Sequence, residues 1–170
     1  VKKSITGYLL FLLCLLSIIR FTGCYSFTGA SVPPHLKTIA IPLFDDQSGS
    51  GEPNLREQLT QKLLDGFMRD NNFQLTDKKS CDALLLGMIS SLQNEPAVVT
   101  RGVTTKTNRI TITVKASFRD QKLKKDMWEK QFSRYADFEI SGGFSAKQAA
   151  IATVLDQLSE DILLETVSGW

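Results

Sequence analysis

Between Thr104 and Phe138 the chain repeats one pattern twice. Ile110, Ile112, Val114, Ala116 and Phe118 occupy every second position, with Thr111, Thr113, Lys115 and Ser117 between them. In the following run Trp128, Phe132, Ala136 and Phe138 share one parity, after a charged join over Asp120 to Asp126. A period of two places alternate side chains on opposite faces of a strand. Two such runs joined by a short polar turn predict an antiparallel sheet with one face packed and one face wet. Lys130 and Arg134 interrupt the apolar parity, so part of the second strand is expected to project beyond the core.

The remaining segments supply what covers that face. Ala83 to Leu92 is rich in Leu, Ile and Met and predicts a mostly buried strand, which Cys81 enters as a small hydrophobe. Lys37 to Phe44 alternates through Ile39, Ile41 and Leu43, with Pro42 pointing to an edge position or a strand end. A short strand is expected near Asn72 to Thr76, and Asp45 to Gly51 reads as a polar loop. Leu55, Leu59, Leu63 and Phe67 repeat at helical spacing after a capping-box-like Asn54 and Glu57, and Asn71-Asn72 suits a left-handed stop. Ser145 and Gln148 give a second capping box before Ile151, Val154, Leu155, Leu158, Ile162 and Leu163. Two amphipathic helices and a sheet with one apolar face predict an α+β two-layer sandwich. Its sheet is mostly antiparallel, with about four to five strands and both helices on one side.

The N-terminal segment is organised differently. Lys2 and Lys3 precede an apolar run from Ile5 to Ile19, and Gly23 stands directly before Cys24. A basic start, a greasy body and a small residue at the cut describe a secretory leader. A Gly-Cys ending makes it a lipoprotein signal, with the Cys24 thiol taking a diacylglyceryl group before cleavage. The competing reading is an uncleaved spanning helix. The apolar run of about 15 residues is short against the roughly 20 that cross a bilayer, and Arg20 closes it. The expected organisation is a signal over 1–23, a lipid-anchored tether over 24–36 containing Pro33-Pro34, and one domain over 37–170. Tyr25, not Asp, follows the cysteine, which by the sorting pattern of Gram-negative lipoproteins directs the chain to the outer membrane.

Composition narrows the function classes. Without Lys2, Lys3 and Arg20 the rest of the chain carries 17 basic and 18 acidic side chains, so its basic excess belongs to the leader. No concentrated positive surface of the kind nucleic acid requires is present. Cys14 leaves with the leader and Cys24 is lipidated, so Cys81 has no partner in the chain for a disulfide. The only histidine, His35, sits in the tether and reads as a solvated loop residue. No Ser-His-Asp, Cys-His or glycine-rich phosphate motif is present. Asp45, Asp46 and Glu52 match no calcium loop and read as a solvated turn. Asp65, Glu160 and Asp161 fall outside the apolar stripes and read as surface. These observations point away from catalysis, metals and cofactors, the lipid on Cys24 excepted.

Cys24-Tyr25-Ser26-Phe27-Thr28-Gly29-Ala30-Ser31, then Pro33-Pro34 and Lys37-Thr38-Ile39-Ala40-Ile41-Pro42, resemble the start of mature lipopolysaccharide-assembly lipoproteins, the LptE family, in its Bacteroidetes/Chlorobi branch. Asn108 to Lys115, Phe132 to Phe138 and the terminal helix ending in Trp170 resemble that branch as well. The resemblance implies a lipid-anchored protein on the periplasmic face of the outer membrane. It would sit as a plug in a large β-barrel partner, LptD, and help deliver lipopolysaccharide to the outer leaflet. The alternative is an interaction lipoprotein of another envelope transport or secretion complex. Arg101, Lys106 and Arg109 cluster in a stretch with no acid between Glu95 and Asp120. They are the candidate contacts to lipid A phosphates or to the barrel wall, against a plain solvated loop. Lys122, Lys124 and Lys125 form a second basic run, read as a hairpin surface beside Asp120 and Asp126.

Overall fold

The computed structural model describes residues 32–97 and 107–168. Six strands and two long helices follow in the order β1 (Thr38–Ala40), β2 (Asp45–Asp46), α1 (Leu55–Asp70), β3 (Gln74–Leu75), β4 (Ala83–Pro96), β5 (Thr107–Asp120), β6 (Lys125–Glu139) and α2 (Gly143–Ser168). A 3-10 turn over Ile140–Gly142 joins β6 to α2. The sheet order is β3-β1-β4-β5-β6, with β2 pairing β4 beside β1. The three long strands are antiparallel, as the alternation predicts, while the short strands β1, β2 and β3 add parallel pairings.

Both helices cover one face. Leu55, Leu59, Leu63 and Phe67 of α1 and Ile151, Val154, Leu155, Leu158 and Ile162 of α2 join one buried cluster with Leu85, Ile89 and the whole inward row of β5. Burying a Leu, Ile or Phe side chain stabilises by about 1.5–3 kcal/mol relative to exposure, so this row alone fixes which way β5 faces. A one-residue slip would turn all five side chains to water. Trp128 stacks on Phe118 at 6.0 Å and meets Phe132 edge-on, extending the core along β6.

Several local expectations fail, each for a tertiary reason. The strand expected over Lys37 to Phe44 is broken in two. β1 pairs Ile39 and Ala40 with Ala83 and Leu84, and β2 resumes five residues further along β4 at Met88 and Ile89. Pro42 lies in the break, which agrees with a strand end; β1 itself is an interior strand. In the break Phe44 turns into the core and lies over Gly87, where an added Cβ would meet the ring Cζ at 2.6 Å. Neither capping box forms. Asn54 adopts φ 58° with no side-chain cap. α2 begins at Gly143, whose φ of 57° favours glycine, so Ser145 already lies inside the first turn. Gln148 instead donates to Glu52 at 3.0 Å, and Lys147 pairs with the same carboxylate. The left-handed stop of α1 does form, at Asn71 with φ 59°. Cys81 is not in a buried strand. It is half-buried in the turn before β4, and that partial burial pushes its thiol pKa up.

Candidate functional site

β4 and β5 are 14 residues each, so at about 3.3 Å per residue the hairpin runs roughly 45 Å. Its two ends carry different chemistry.

At the far end Ala97 N–H donates to the Thr107 carbonyl at 3.0 Å, and the connection between them carries Arg101 and Lys106. Those two residues lie outside the described residues. Arg109 is placed on the open face, in a row that runs Glu95, Arg109, Asp137 across three strands. Its guanidinium makes a two-pronged bond to Asp137 at 2.7 and 2.9 Å and lies 3.9 Å over the Tyr135 ring. The hydrogen bond to Asp137 raises the Arg109 pKa, and the same bond lowers that of Asp137. Arg109 is thus a fixed, stacked and half-neutralised cation, not a free one. No sequence signal tied it to Asp137, 28 residues on; the β5–β6 register does.

The open face is polar on β5 and β6 and apolar on β4, where Leu84, Leu86 and Met88 stand opposite Arg119, Ser117 and Lys115. β5 presents Thr111, Thr113, Lys115 and Ser117, and β6 presents Gln131, Ser133 and Tyr135, with Thr113 and Ser133 hydroxyls 3.2 Å apart. A shallow depression near β2 is bordered by Leu43, Leu86, Met88, Lys115 and Glu129. On the helix side, Lys130 and Arg134 do leave the apolar core, but they do not project freely. Lys130 pairs with Glu165 at 2.6 Å, and Arg134 makes a two-pronged bond to Asp161 at 2.5 and 2.7 Å. The hydrogen bond to Asp161 raises the Arg134 pKa. Asp161 therefore joins β6 to α2 and is more than plain surface.

At the near end, where the described chain enters at Val32, the expectation for His35 is overturned. Its Nε2–H donates to Asp120 Oδ2 at 2.5 Å, and that carboxylate is fully buried. Burial pushes the Asp120 pKa up, but the His35 bond and the Leu123 N–H together outweigh it and leave the group low. Lys122 Nζ donates to the His35 carbonyl at 2.6 Å and pairs with Asp82 at 2.8 Å. Asp82 also accepts the N–H groups of Lys37 and Thr38. The Lys122 hydrogen bond, helped by those N–H groups, holds the Asp82 carboxyl at about 2. His35 and Asp120 are 85 residues apart, and only the β1–β4–β5 pairing brings them together.

Among the described residues no three His, Cys, Asp or Glu side chains group as a metal site, and no helix is long and apolar enough to cross a membrane. Asp46 is taken up by Ser48, and Glu52 by Lys147 and Gln148.

Among curated proteins none matches the chain. Solved structures share its fold. A protein from Xanthomonas campestris aligns with TM-score 0.61 and 12% identity, over 81% of this chain and 89% of that one. The rare lipoprotein B of Shewanella oneidensis aligns with TM-score 0.53 and 12% identity, over 76% and 92%. PelC of Paraburkholderia phytofirmans, solved as a dodecamer, aligns with TM-score 0.53 and 11% identity, over 82% and 95%. At such identities the likeness is one of fold. The sequence itself matches the model of the lipopolysaccharide-assembly family over residues 36–166, the span of the two-layer sandwich from the entry to β1 through to the last turn of α2. The chain belongs to the LptE family.

Proposed function

We propose that the chain is an outer-membrane lipoprotein, tethered through Cys24, that docks as a plug inside the LptD barrel and assists lipopolysaccharide delivery. The observation that carries this reading is the family match over residues 36–166, which takes in both helices and every strand. The surface is consistent with it. A large barrel lumen is wet and polar, and on β5 and β6 the open sheet face offers threonines, serines and a lysine. Arg109, Arg134, Lys122, Lys130 and Lys147 are paired into structure, not poised around a cleft, which suits docking rather than turnover.

Arg101 and Lys106, with Arg109 at the base of the same connection, are proposed to touch lipid A phosphates or the barrel wall. Arg109 would serve as a rigid post held by Asp137 and Tyr135, while Arg101 and Lys106 would make the charge-assisted contacts. Replacing Arg101→Glu and Lys106→Glu together is expected to weaken lipopolysaccharide binding in vitro, and unchanged binding would remove this assignment.

The central test is co-purification from outer membranes after mild cross-linking, with mass identification of the stoichiometric companion. A large β-barrel is the expected result. The alternative is an interaction lipoprotein of another envelope transport or secretion complex. Recovery of a non-barrel companion would favour it.

A further inference from the structure

The near end of the molecule is built to present an apolar side chain among unpaired cations. The β5–β6 turn reads Gln121-Lys122-Leu123-Lys124, with Lys125 opening β6. Leu123 is 64% exposed and contributes nothing to the core. Its position is nonetheless fixed. Its N–H donates to Asp120 Oδ1 at 2.8 Å, Asp120 is buried against His35, and Gln121 N–H donates to the Asp82 carbonyl at 2.8 Å. Lys122 is clamped between Asp82 and the His35 carbonyl. The turn is pre-organised, so presenting Leu123 to a partner costs little ordering.

Free lysines share this end of the molecule with that side chain. Lys124 and Lys125 are exposed and make no ion pair among the described residues. Neither do Lys78 and Lys79, in the turn before β4 that Asp82 ties to Lys122. Of the acids at this end, Asp82 and Asp120 are bound as described and Asp126 pairs with Arg119, which leaves Asp77 and, at the end of α1, Asp70 against the four ammonium groups of Lys78, Lys79, Lys124 and Lys125. An exposed apolar tip flanked by free lysines is complementary to an anionic phospholipid surface. The apolar group enters the acyl boundary and the lysines meet the headgroups.

Position selects the same partner. This inference rests on the Cys24 anchor of the proposed function. His35 contacts the residues on both sides of the turn base, Asp120 and Lys122. Only ten residues lie between it and Cys24, a reach of at most roughly 40 Å when fully extended. The turn is therefore held close to whatever bilayer receives the lipid, where tethering raises the effective concentration of a weak contact.

We infer that the β5–β6 turn, through Leu123, Lys124 and Lys125 with Lys78 and Lys79 beside it, is a second membrane contact. It docks the near end of the domain on anionic phospholipid and holds the long hairpin upright. The test uses the chain from residue 24, the mature form in the proposed function, with Cys24→Ser so that no acyl group contributes; every strand and helix described lies within it. Co-sedimentation is measured with phosphatidylcholine vesicles, with and without about a third phosphatidylglycerol. Binding is expected only to the anionic vesicles and is lost in high salt. At about fivefold per lysine, the variant Leu123→Ser/Lys124→Asn/Lys125→Gln should bind at least tenfold more weakly. Asparagine is chosen at 124 because φ there is 52° and it tolerates that region.

Lys78→Gln/Lys79→Gln, in the neighbouring turn, should weaken binding in the same direction, and Arg69→Gln on α1 should leave it unchanged. Each variant is first matched to the parent by circular dichroism. Equal binding by parent and turn variant, absence of binding by the parent, or equal binding to uncharged vesicles would overturn the inference. Intact-mass measurement on the natively exported chain tests the acyl anchor separately. A missing acyl group would end the anchor reading and leave the vesicle result to stand on its own.

Discussion

Gly87→Ala is the substitution whose outcome the geometry fixes most tightly. The new Cβ would stand 2.6 Å from Phe44 Cζ and 2.7 Å from Cδ2, far inside contact distance. The ring cannot swing away. Phe44 is 1% exposed within the core cluster, and its N–H donates to Thr60 Oγ1 at 3.1 Å, while that hydroxyl donates to the Arg56 carbonyl at 2.7 Å. Overpacking a closed core by a methyl group costs about 1–3 kcal/mol. The stiffer unfolded chain of alanine offsets about 0.5–1 kcal/mol. Approaches under 3.0 Å place this clash in the upper half of the overpacking range, at about 2–3 kcal/mol, so the expected net loss is about 1–2.5 kcal/mol, or roughly 2–10 °C in Tm at this chain length. Urea denaturation of the chain from residue 24 measures it.

Phe44→Leu supplies the control. Alone it should destabilise by emptying the space over Gly87. In the Gly87→Ala background it should cost at least about 1 kcal/mol less, because the two changes share that space. A Gly87→Ala protein as stable as the parent, or additive costs in the double variant, would refute the account of the β1–β2 break.

Other expectations follow from the ion pairs and the core. Asp82 is depressed to about 2, so its contribution is complete above the unfolded value near 3.9 and fades as pH falls through the folded value. Asp82→Asn should flatten the acid limb of stability between about pH 4 and pH 2, and a profile parallel to the parent would contradict the Lys122 clamp. A double-mutant cycle on Arg134 and Asp161 should give a favourable coupling that shrinks in high salt, since both groups face solvent; a salt-insensitive coupling would contradict that. Trp128 Nε1 is buried with no hydrogen-bond partner among the described residues, so Trp128→Phe should cost no more than about 1 kcal/mol, the lost area being offset by removal of an unsatisfied N–H. Leu63→Ala, at a fully buried site, should cost about 2–5 kcal/mol by the same denaturation assay.

The sheet was legible because its signal is local and repeated. Five consecutive alternate positions of β5 are apolar and all five are buried, so the inward face of the strand could be read without knowing a single neighbour. Helix stripes were legible for the same reason. Caps were not. Asn54-x-x-Glu57 and Ser145-x-x-Gln148 have the right residues at the right spacing, yet Glu52 reaches α2 and takes Gln148, and Gly143 starts that helix two residues before Ser145. A cap competes with any long-range partner for the same side chain, and sequence spacing carries no information about the competitor.

The ionic side of the molecule was illegible on the same grounds, and there the failure bears on function. Arg109 and the lysines near the β5–β6 turn look alike as letters, but one cation is fixed between a carboxylate and an aromatic ring while others stand free. What separates them is topology. Antiparallel register sets Asp137 opposite Arg109, and the parallel β1–β4 pairing brings the chain entry to Asp82 and, through β5, to Asp120. On the proposed reading, docking needs a rigid body and correctly placed free charges more than a fixed catalytic constellation. Pairs inside the body can be exchanged for other pairs as long as the frame holds, which is compatible with one fold persisting at 12% identity. It follows that the charges the frame leaves without an ion pair among the described residues, at the β5–β6 turn, are where this chain's own partners are to be sought.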